Sequence, residues 1–264
     1  MKYYGLISGL PDLHIGTSPE LPIKELKRLL FQYADEGDSY LFRLFFTQLD
    51  LINLNAVIQE KKLWMQGGYL TKDDLQSWAR NGKLNIPPFL DLEEQLQPRE
   101  NRDPLLQIQF YWQELYNAML RIGPPNVRKL VNYEISLKNF MKSYMERKLS
   151  DSLSEHYLEG GWFDRFAYSK LLMGDIKAEH PYLAEVLQHM DNDDPFQREE
   201  KILEARWEFF DSIAFFDAFS TSALFAWILK YLDVYKWGYN NADQGKMIME
   251  DLESRILNQL AAKF

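Results

Sequence analysis

Apolar residues recur along most of this chain every three or four positions, the spacing that places them on one face of an α-helix. One such face, in the segment IKELKRLLFQYA, consists of Ile23, Leu26, Leu29, Leu30 and Tyr33. Alternation of apolar and polar residues, which predicts strands, is limited to a weak pattern at residues 3–8. The chain is therefore predicted to have an all-α fold.

The first long helix is expected to be capped by Asp38 or Ser39 and to run through residues 40–64. It is expected to stop at the adjacent glycines Gly67 and Gly68. This pair does not match a phosphate-binding loop, because the surrounding pattern of glycine, lysine and serine or threonine is absent. The favoured interpretation is a helix C-cap, since glycine adopts the left-handed conformation without steric strain.

Further capping signals divide the rest of the chain. A long amphipathic pattern over residues 127–158 is expected to stop at the glycine pair 160–161. Three other helix starts combine a capping residue with a proline or with a second capping residue: Thr71 with Asp74, Asp103 with Pro104, and Asp194 with Pro195. The last of these helices is expected to extend as far as Trp237.

The two glycine pairs indicate an internal repeat of a long helix, a Gly-Gly turn and a short helix. The sequence GGYLTKDDLQSWA follows the first long pattern, and GGWFDRFAYSKLL follows the second. A third, weaker unit would end near Gly238-Tyr239. These matches predict two to three pseudo-repeats, at residues 1–98, 99–193 and 194–264, within one compact helical unit.

Five aromatic residues are expected at loop tips rather than in helices. They are Tyr69, Trp162, Phe163, Trp237 and Tyr239. Because aromatic side chains are enriched in the energetically important parts of interfaces, they are candidate partner-binding residues. The alternative is that each covers the core beneath its turn.

Composition and charge exclude several classes of function. The chain has a net charge of −9 and no cysteine, which disfavours nucleic-acid binding and excludes thiolate metal sites and cysteine nucleophiles. The most apolar segment, residues 209–232, is interrupted by Asp211, Asp217 and Lys230 and is not expected to span a membrane. The opening residues MKYYGLISGLPDL lack the features of a signal peptide.

Candidate catalytic groups are limited to carboxylates. The four histidines have no metal-ligand spacing, and no cofactor-binding motif is present. An all-α enzyme that binds a metal would have to use an aspartate set drawn from Asp191, Asp193, Asp194, Asp211 and Asp217. The favoured interpretation of the first three is a helix-capping turn, and that of the last two is an exposed stripe.

One order of residues resembles a known family. Asp50 and Asn53 are followed by the basic pair 61–62 and then by the glycine pair 67–68. This order is similar to the Asp-x-x-Asn-hydrophobic, basic, glycine-pair sequence of the C-type central-stalk subunits of V-type and archaeal-type rotary ATPases, which are called d-type in eukaryotic complexes. The opening YYGLISGLPDL resembles a short bacterial branch encoded with V-type ATP synthase subunits.

The resemblance implies a non-catalytic central-stalk subunit without a cofactor. Such a protein would form a socket that couples the rotating shaft to the membrane rotor ring, in proton or sodium transport and ATP synthesis. The implied partners are the central-shaft subunits and that ring, and the implied location is the cytoplasm, peripheral to the inner membrane through the complex. The alternatives are the metal-dependent enzyme above and a helical scaffold with unrelated partners.

Overall fold

The computed structural model describes residues 2–61, 63–81, 104–149, 157–163 and 173–239. In these ranges the chain forms ten α-helices and no strand, which confirms the predicted all-α fold. The helices are α1 (Tyr4–Ile7), α2 (Ile23–Tyr33), α3 (Glu36–Ile58), α4 (Lys72–Asn81), α5 (Pro104–Ile122), α6 (Pro125–Leu149), α7 (Met173–Glu179), α8 (Pro181–His189), α9 (Pro195–Ala214) and α10 (Thr221–Tyr239).

Helix α3 is buried on nearly all sides. It packs against α2, α4 and α5, and its phenylalanines reach α10. Phe42 and Phe45 both contact Phe225, with ring centroids 5.6 and 4.2 Å apart. Because helices from all three predicted units contribute to one hydrophobic cluster, no separate core marks the limits of the units within the described ranges. The unit boundaries stay a prediction.

Helix α3 is also the one helix, among the described residues, that is long and apolar enough to cross a membrane by length and composition. Of its apolar window, 72% is buried inside the structure. A core helix that is covered on all sides by protein has the same composition as a membrane span. The burial of α3 therefore accounts for its apolar sequence.

Both ends of α3 differ from the prediction. The N-cap is Asp35, whose carboxylate accepts a hydrogen bond from the Asp38 N–H at 2.9 Å, rather than Asp38 or Ser39. The helix ends at Ile58, well before the glycine pair. The prediction placed the end too late because it took the glycine pair as the stop signal, whereas the helix ends where the sequence turns polar at Gln59 and Glu60.

The predicted starts of α4 and α9 are confirmed. The Thr71 N–H donates to Asp74 Oδ2 at 2.8 Å and the Asp74 N–H donates to Thr71 Oγ1 at 3.2 Å, which is a reciprocal capping box. Asp194 caps α9 by accepting from the Phe196 N–H at 2.9 Å. Local capping chemistry thus determines where these helices begin.

The predicted single helix from Pro195 to Trp237 is wrong. It divides into α9 and α10 at a turn formed by residues 215–220. Ser220 restarts the helix because its Oγ accepts a hydrogen bond from the Ala223 N–H at 3.1 Å. The reversal lets α9 and α10 pack against each other, whereas one continuous helix would have left much of this apolar sequence in water.

The second long pattern and the third predicted unit also differ from expectation. Helix α6 ends at Leu149, and Leu158 lies in a non-helical segment. Gly238 lies inside α10 instead of following it. The third unit therefore lacks the expected glycine turn at Gly238, and the final helix expected there lies outside the described residues.

Candidate functional site

The first glycine turn (residues 65–70) is fixed to the side of α3. The Asn53 side chain exchanges two hydrogen bonds with Met65, since its Nδ2 donates to the Met65 carbonyl and its Oδ1 accepts from the Met65 N–H, both at 2.7 Å. One turn earlier on α3, the Asp50 carboxylate accepts from the Tyr69 N–H at 2.9 Å. The turn is therefore held at two points of one helix face.

The second glycine turn (residues 157–163) is fixed to α6 in the same manner. Asn139 Nδ2 donates to the Leu158 carbonyl and Asn139 Oδ1 accepts from the Leu158 N–H, both at 2.9 Å. Ser136 Oγ, one turn earlier on α6, accepts from the Trp162 N–H at 2.9 Å. Two side chains of one helix again fix the turn.

The two turns use corresponding positions. In each, an asparagine pairs with the residue two positions before the glycine pair, at Met65 or Leu158. In each, the residue three positions before that asparagine accepts the N–H of the aromatic residue directly after the glycines. This correspondence aligns α3 with α6 and supports the repeat of the first two predicted units.

The glycines are needed for close approach of the turn to α2 and α3. A Cβ at Gly67, whose φ is +103°, would lie 2.9 Å from Ile23 Cγ1. A Cβ at Gly68 would overlap the Asp50 carboxylate, with its Cγ only 2.6 Å away. A larger residue at Gly68 would push the turn off the carboxylate that fixes it.

The predicted C-cap role of the first glycine pair is wrong. Glu60 takes the left-handed conformation that ends α3, with φ of +54°. The Lys61 N–H donates to the Ala56 carbonyl at 2.8 Å and the Glu60 N–H donates to the Val57 carbonyl at 3.2 Å, which is the Schellman pattern. The glycines instead shape a separate turn that returns the chain to the middle of α3.

Asp50 is a buried carboxylate whose residue is 1% exposed. Burial raises its pKa to about 6, and hydrogen bonds from the Tyr69 and Leu70 N–H groups and the charge of Lys27 limit the rise. The backbone donors therefore replace the water that the carboxylate loses.

Lys27 of α2 lies on the other side of the same turn. Its Nζ donates to the Gly67 carbonyl at 2.8 Å and lies 3.7 Å from the centre of the Tyr69 ring. Burial lowers the pKa of Lys27 to about 8, and the Asp50 charge opposes this shift. The first turn thus lies between a buried acid on α3 and a half-buried base on α2.

A buried ion cluster joins α6, α9 and α10 beside the second turn. The Arg206 guanidinium donates from Nη2 to Glu134 Oε1 at 2.8 Å and from Nη1 to Asp233 Oδ1 at 3.0 Å. Trp207 Nε1 also donates to Asp233, at 3.3 Å. Burial raises the pKa of Asp233, whereas the Arg206 charge lowers it. Three helices are therefore held together by one guanidinium.

Lys138 of α6, next to Asn139, adds a further cation to this region. Its Nζ lies 4.1 Å from the centre of the Trp112 ring. Burial lowers its pKa to about 8, and the charge of Lys236 acts in the same direction. Both anchoring regions therefore contain a lysine over an aromatic ring, Lys27 over Tyr69 in one and Lys138 over Trp112 in the other.

The predicted partner-binding aromatics are half-buried where their side chains are described. Trp162 stacks on His180 at 4.4 Å, and Phe163 meets the same ring edge-on at 4.8 Å. Trp237 meets Phe196 at 4.8 Å. Trp237 and Tyr239 lie in the last turn of α10, so their predicted place at a loop tip is wrong, and the side chain of Tyr239 lies outside the described residues. These contacts cover part of each ring, and partner binding at these residues stays a prediction.

The five aspartates of the enzyme alternative have separate environments. Asp191 bonds to the Tyr144 hydroxyl, Asp193 is exposed in the turn before α9, Asp194 caps α9 and Asp211 pairs with Lys230. Asp217 lies in the turn after α9 rather than on a helix with Asp211. In the described ranges no three histidine, aspartate or glutamate side chains group as a metal site.

Only part of these anchors could be recognised from the sequence. Asp50 and Asn53 belong to the motif that resembles the C-type rotary ATPase subunits, but Ser136, Asn139 and Lys27 were not singled out. The missed signal is the Ser-x-x-Asn spacing on α6, the counterpart of Asp-x-x-Asn on α3. The longer stretch between Asn139 and its glycine pair obscured the match.

The fold and its anchors define a helical protein in which two glycine turns are hydrogen-bonded back to long helices. A family model described as a protein of unknown function (DUF2764) matches residues 1–256, and the chain belongs to that family. No curated protein and no solved structure matches the chain.

Proposed function

We propose that this chain is a non-catalytic central-stalk subunit of a V-type ATP synthase or ATPase. It would act as a socket that couples the rotating shaft to the membrane rotor ring during proton or sodium transport. The supporting observation is the pair of glycine turns fixed by Asp50 with Asn53 and by Ser136 with Asn139. The order of Asp-x-x-Asn and glycine pair is the feature that resembles the C-type subunits of rotary ATPases.

The mechanical demands of coupling agree with these anchors. A protein that transmits torque must keep its loops in place under load. A side-chain amide that both donates to and accepts from one backbone residue fixes a loop as a strand pairing would. The turns at Met65 and Leu158 are both fixed in this way.

The charge of the chain also supports a protein partner. A net charge of −9 favours basic surfaces on the shaft or the ring and speeds encounter with them. In this proposal the half-buried rings of Tyr69, Trp162 and Phe163 would present their outer edges to a partner, together with Trp237 and Tyr239 near the end of α10. The chain would then lie at the cytoplasmic face of the inner membrane through its partners.

Reconstitution with the V-type ATPase subunits of the same genome tests the proposal. The tagged chain would be co-expressed with the shaft subunits and the ring protein, solubilised in mild detergent and separated by size exclusion. We expect it to elute with both partners. We also expect ATP hydrolysis to become sensitive to a carboxyl-reactive inhibitor of the ring only when the chain is present, because coupling makes hydrolysis depend on rotation of the ring.

Two variants make the result specific. Tyr69→Ser removes a ring at the first turn, and Tyr33→Ser removes an aromatic ring that is 55% exposed at the end of α2. We expect only Tyr69→Ser to weaken the complex, with folding of both variants checked by circular dichroism. A wild-type chain that elutes alone in the presence of shaft and ring would contradict the proposal and favour a scaffold with other partners.

A further inference from the structure

The turn between α9 and α10 exposes two adjacent phenylalanines. Phe215 is 78% exposed and Phe216 is 92% exposed. Their rings meet edge-to-face with centroids 5.1 Å apart. Two large apolar side chains displayed together on one turn are characteristic of a binding surface, since isolated exposure is the usual pattern.

The N-terminal helix extends this apolar surface. The Tyr3 N–H donates to the Phe219 carbonyl at 3.1 Å, which attaches α1 to the turn. Tyr4, itself 58% exposed, packs on the Phe219 ring at 4.7 Å. We call Tyr4, Phe215, Phe216 and Phe219 the aromatic tip. It combines two chain segments that are far apart in sequence.

An open cavity of about 440 Å³ lies beside the aromatic tip. It is lined by Tyr182, Glu208, Asp211, Ser212, Phe215 and Phe216. The cavity has room for an apolar side chain between the two phenylalanines and Tyr182, and carboxylates lie at its edge. An apolar residue next to a basic one would satisfy both parts of the lining.

The exposed face of α9 that leads to this cavity is acidic. Glu204, Glu208 and Asp211 are spaced by four and then three residues, which places them in one row on the helix. Lys201 pairs with Glu204 and Lys230 pairs with Asp211. Glu208 has no ion pair within the described part of the chain. We call this row the acidic stripe.

Asp217 adds a negative charge at the tip itself. It is exposed in the turn directly after Phe216. Its neighbours in the turn contact it through backbone groups, since the Ser220 hydroxyl donates to its carbonyl at 2.8 Å. Negative charge therefore lies on both sides of the exposed phenylalanines.

We propose that the aromatic tip and the acidic stripe form a docking surface for a basic amphipathic helix of another protein. The apolar face of that helix would cover Phe215 and Phe216 and insert a side chain into the cavity, while its lysine or arginine residues would meet Glu208, Asp211 and Asp217. The surface shares no residue with the glycine turns, so this proposal does not depend on the proposed central-stalk function.

Charge complementarity decides between the possible occupants. A second copy of this chain would bring the same carboxylates to the interface, and like charges placed together oppose association. An anionic lipid surface would be repelled by the same groups. A basic helix gains attraction from the stripe and burial of apolar area from the tip.

Peptide binding to the full-length chain tests the proposal. The first probe is a labelled helical peptide of about 18 residues with a leucine face and a lysine face, and the second is its copy with glutamate at every lysine. By fluorescence anisotropy we expect the lysine peptide to bind with micromolar affinity and the glutamate peptide to bind at least roughly tenfold more weakly. We expect binding to weaken as salt rises.

Variants distinguish docking at this surface from general attraction to an acidic protein. The double variant Phe215→Ser and Phe216→Ser should weaken binding of the lysine peptide by roughly tenfold or more, because it removes the apolar anchors. Glu208→Lys should weaken binding of the lysine peptide severalfold, because it places a positive charge in the acidic stripe. Tyr33→Ser and Glu20→Lys, which change an exposed aromatic and an exposed acid elsewhere, should leave the affinity unchanged.

Several results would overturn the proposal. These are no binding of the lysine peptide at roughly 100 µM, or equal affinity for the wild-type chain and the phenylalanine variant. A wild-type dimer in light scattering that dissociates in the phenylalanine variant would assign the surface to a second copy. Co-sedimentation with vesicles of phosphatidylcholine and phosphatidylserine, lost in the same variant, would assign it to lipid.

Discussion

Asn139 and Leu158 exchange two hydrogen bonds of 2.9 Å each, one from the side-chain amide to the backbone carbonyl and one from the backbone N–H to the side-chain oxygen. The amide of asparagine is a donor and an acceptor on one planar group, so it reproduces the pairing of two backbone segments. Asn53 does the same for Met65. An aspartate lacks the donor, and a leucine lacks both the donor and the acceptor.

Asn139→Asp should therefore destabilise the chain. The new carboxylate oxygen would face the Leu158 carbonyl in a buried site, and the lost hydrogen bond together with the unsatisfied group should lower the free energy of unfolding by about 2–3 kcal/mol. Urea denaturation measures the change. Asn55→Asp, on the partly exposed side of α3, is the matched control and should stay within about 0.5 kcal/mol of the wild type. Similar stabilities for the two variants would contradict the role assigned to Asn139.

Gly68→Ala should displace the first glycine turn. The added methyl group would overlap the Asp50 carboxylate, and we expect a loss of about 1–3 kcal/mol of unfolding free energy. Gly5→Ala is the control, because nothing lies within 4 Å of a Cβ at that position. Thermal unfolding compares the two variants. If Gly68→Ala unfolds at the same temperature as the wild type, the close approach between the turn and Asp50 is not required for stability.

Sequence reasoning succeeded where a local interaction determines the structure. The capping box of Thr71 with Asp74 and the cap at Asp194 depend on residues within one helical turn, so their spacing alone identifies the helix starts. The all-α fold follows in the same way from the regular spacing of apolar residues.

Prediction from the sequence failed where contacts between residues far apart in the chain determine the structure. The left-handed Glu60 ends α3 before the glycines, and the turn at residues 215–220 divides an apolar run because the two halves bury each other. The left-handed Glu60 has no strong local signal, and the surrounding apolar run conceals the local cap at Ser220. The glycine pairs were correctly identified as special positions, but their role depends on Asp50 and Ser136 on the preceding helices. Such contacts become visible only once the chain is folded.

The stability of the chain should depend on pH through Asp50. Burial raises its pKa to about 6, above the value of about 3.9 for an unfolded chain. Between these values the folded chain binds the proton more tightly than the unfolded chain, so stability falls as pH rises from about 4 to about 6. The contribution of this one group amounts to about 3 kcal/mol.

Asp50→Asn isolates that contribution. The amide oxygen of the variant can still accept from the Tyr69 and Leu70 N–H groups, but the side chain no longer titrates. Urea denaturation at a series of pH values should show a gentler fall in stability between about pH 4 and about pH 6 for the variant than for the wild type. If stability fell equally with pH in the variant and the wild type, Asp50 would not be the cause of the pH dependence.

Arg206→Met should be strongly destabilising. The change leaves Glu134 and Asp233 without their shared cation, and the loss of one partner from a buried ion cluster lowers the free energy of unfolding by about 3–5 kcal/mol. Arg28→Met provides the comparison, since Arg28 pairs with Glu25 on the exposed face of α2 and should change stability far less than Arg206→Met does. Guanidinium denaturation of both variants distinguishes a structural cluster from a surface pairing.

Two buried tyrosines should respond in opposite ways to loss of the hydroxyl group. The Tyr133 hydroxyl is buried without a hydrogen-bond partner among the described residues, so Tyr133→Phe removes an unsatisfied polar group and should leave stability unchanged or raise it by up to about 1 kcal/mol. The Tyr231 hydroxyl donates to the Leu21 carbonyl at 2.8 Å, so Tyr231→Phe should lower stability by about 1–2 kcal/mol. Both rings are fully buried, which makes the hydroxyl environment the main difference under test. Equal losses in thermal unfolding would show that Tyr133 has a hydrogen-bond partner in solution.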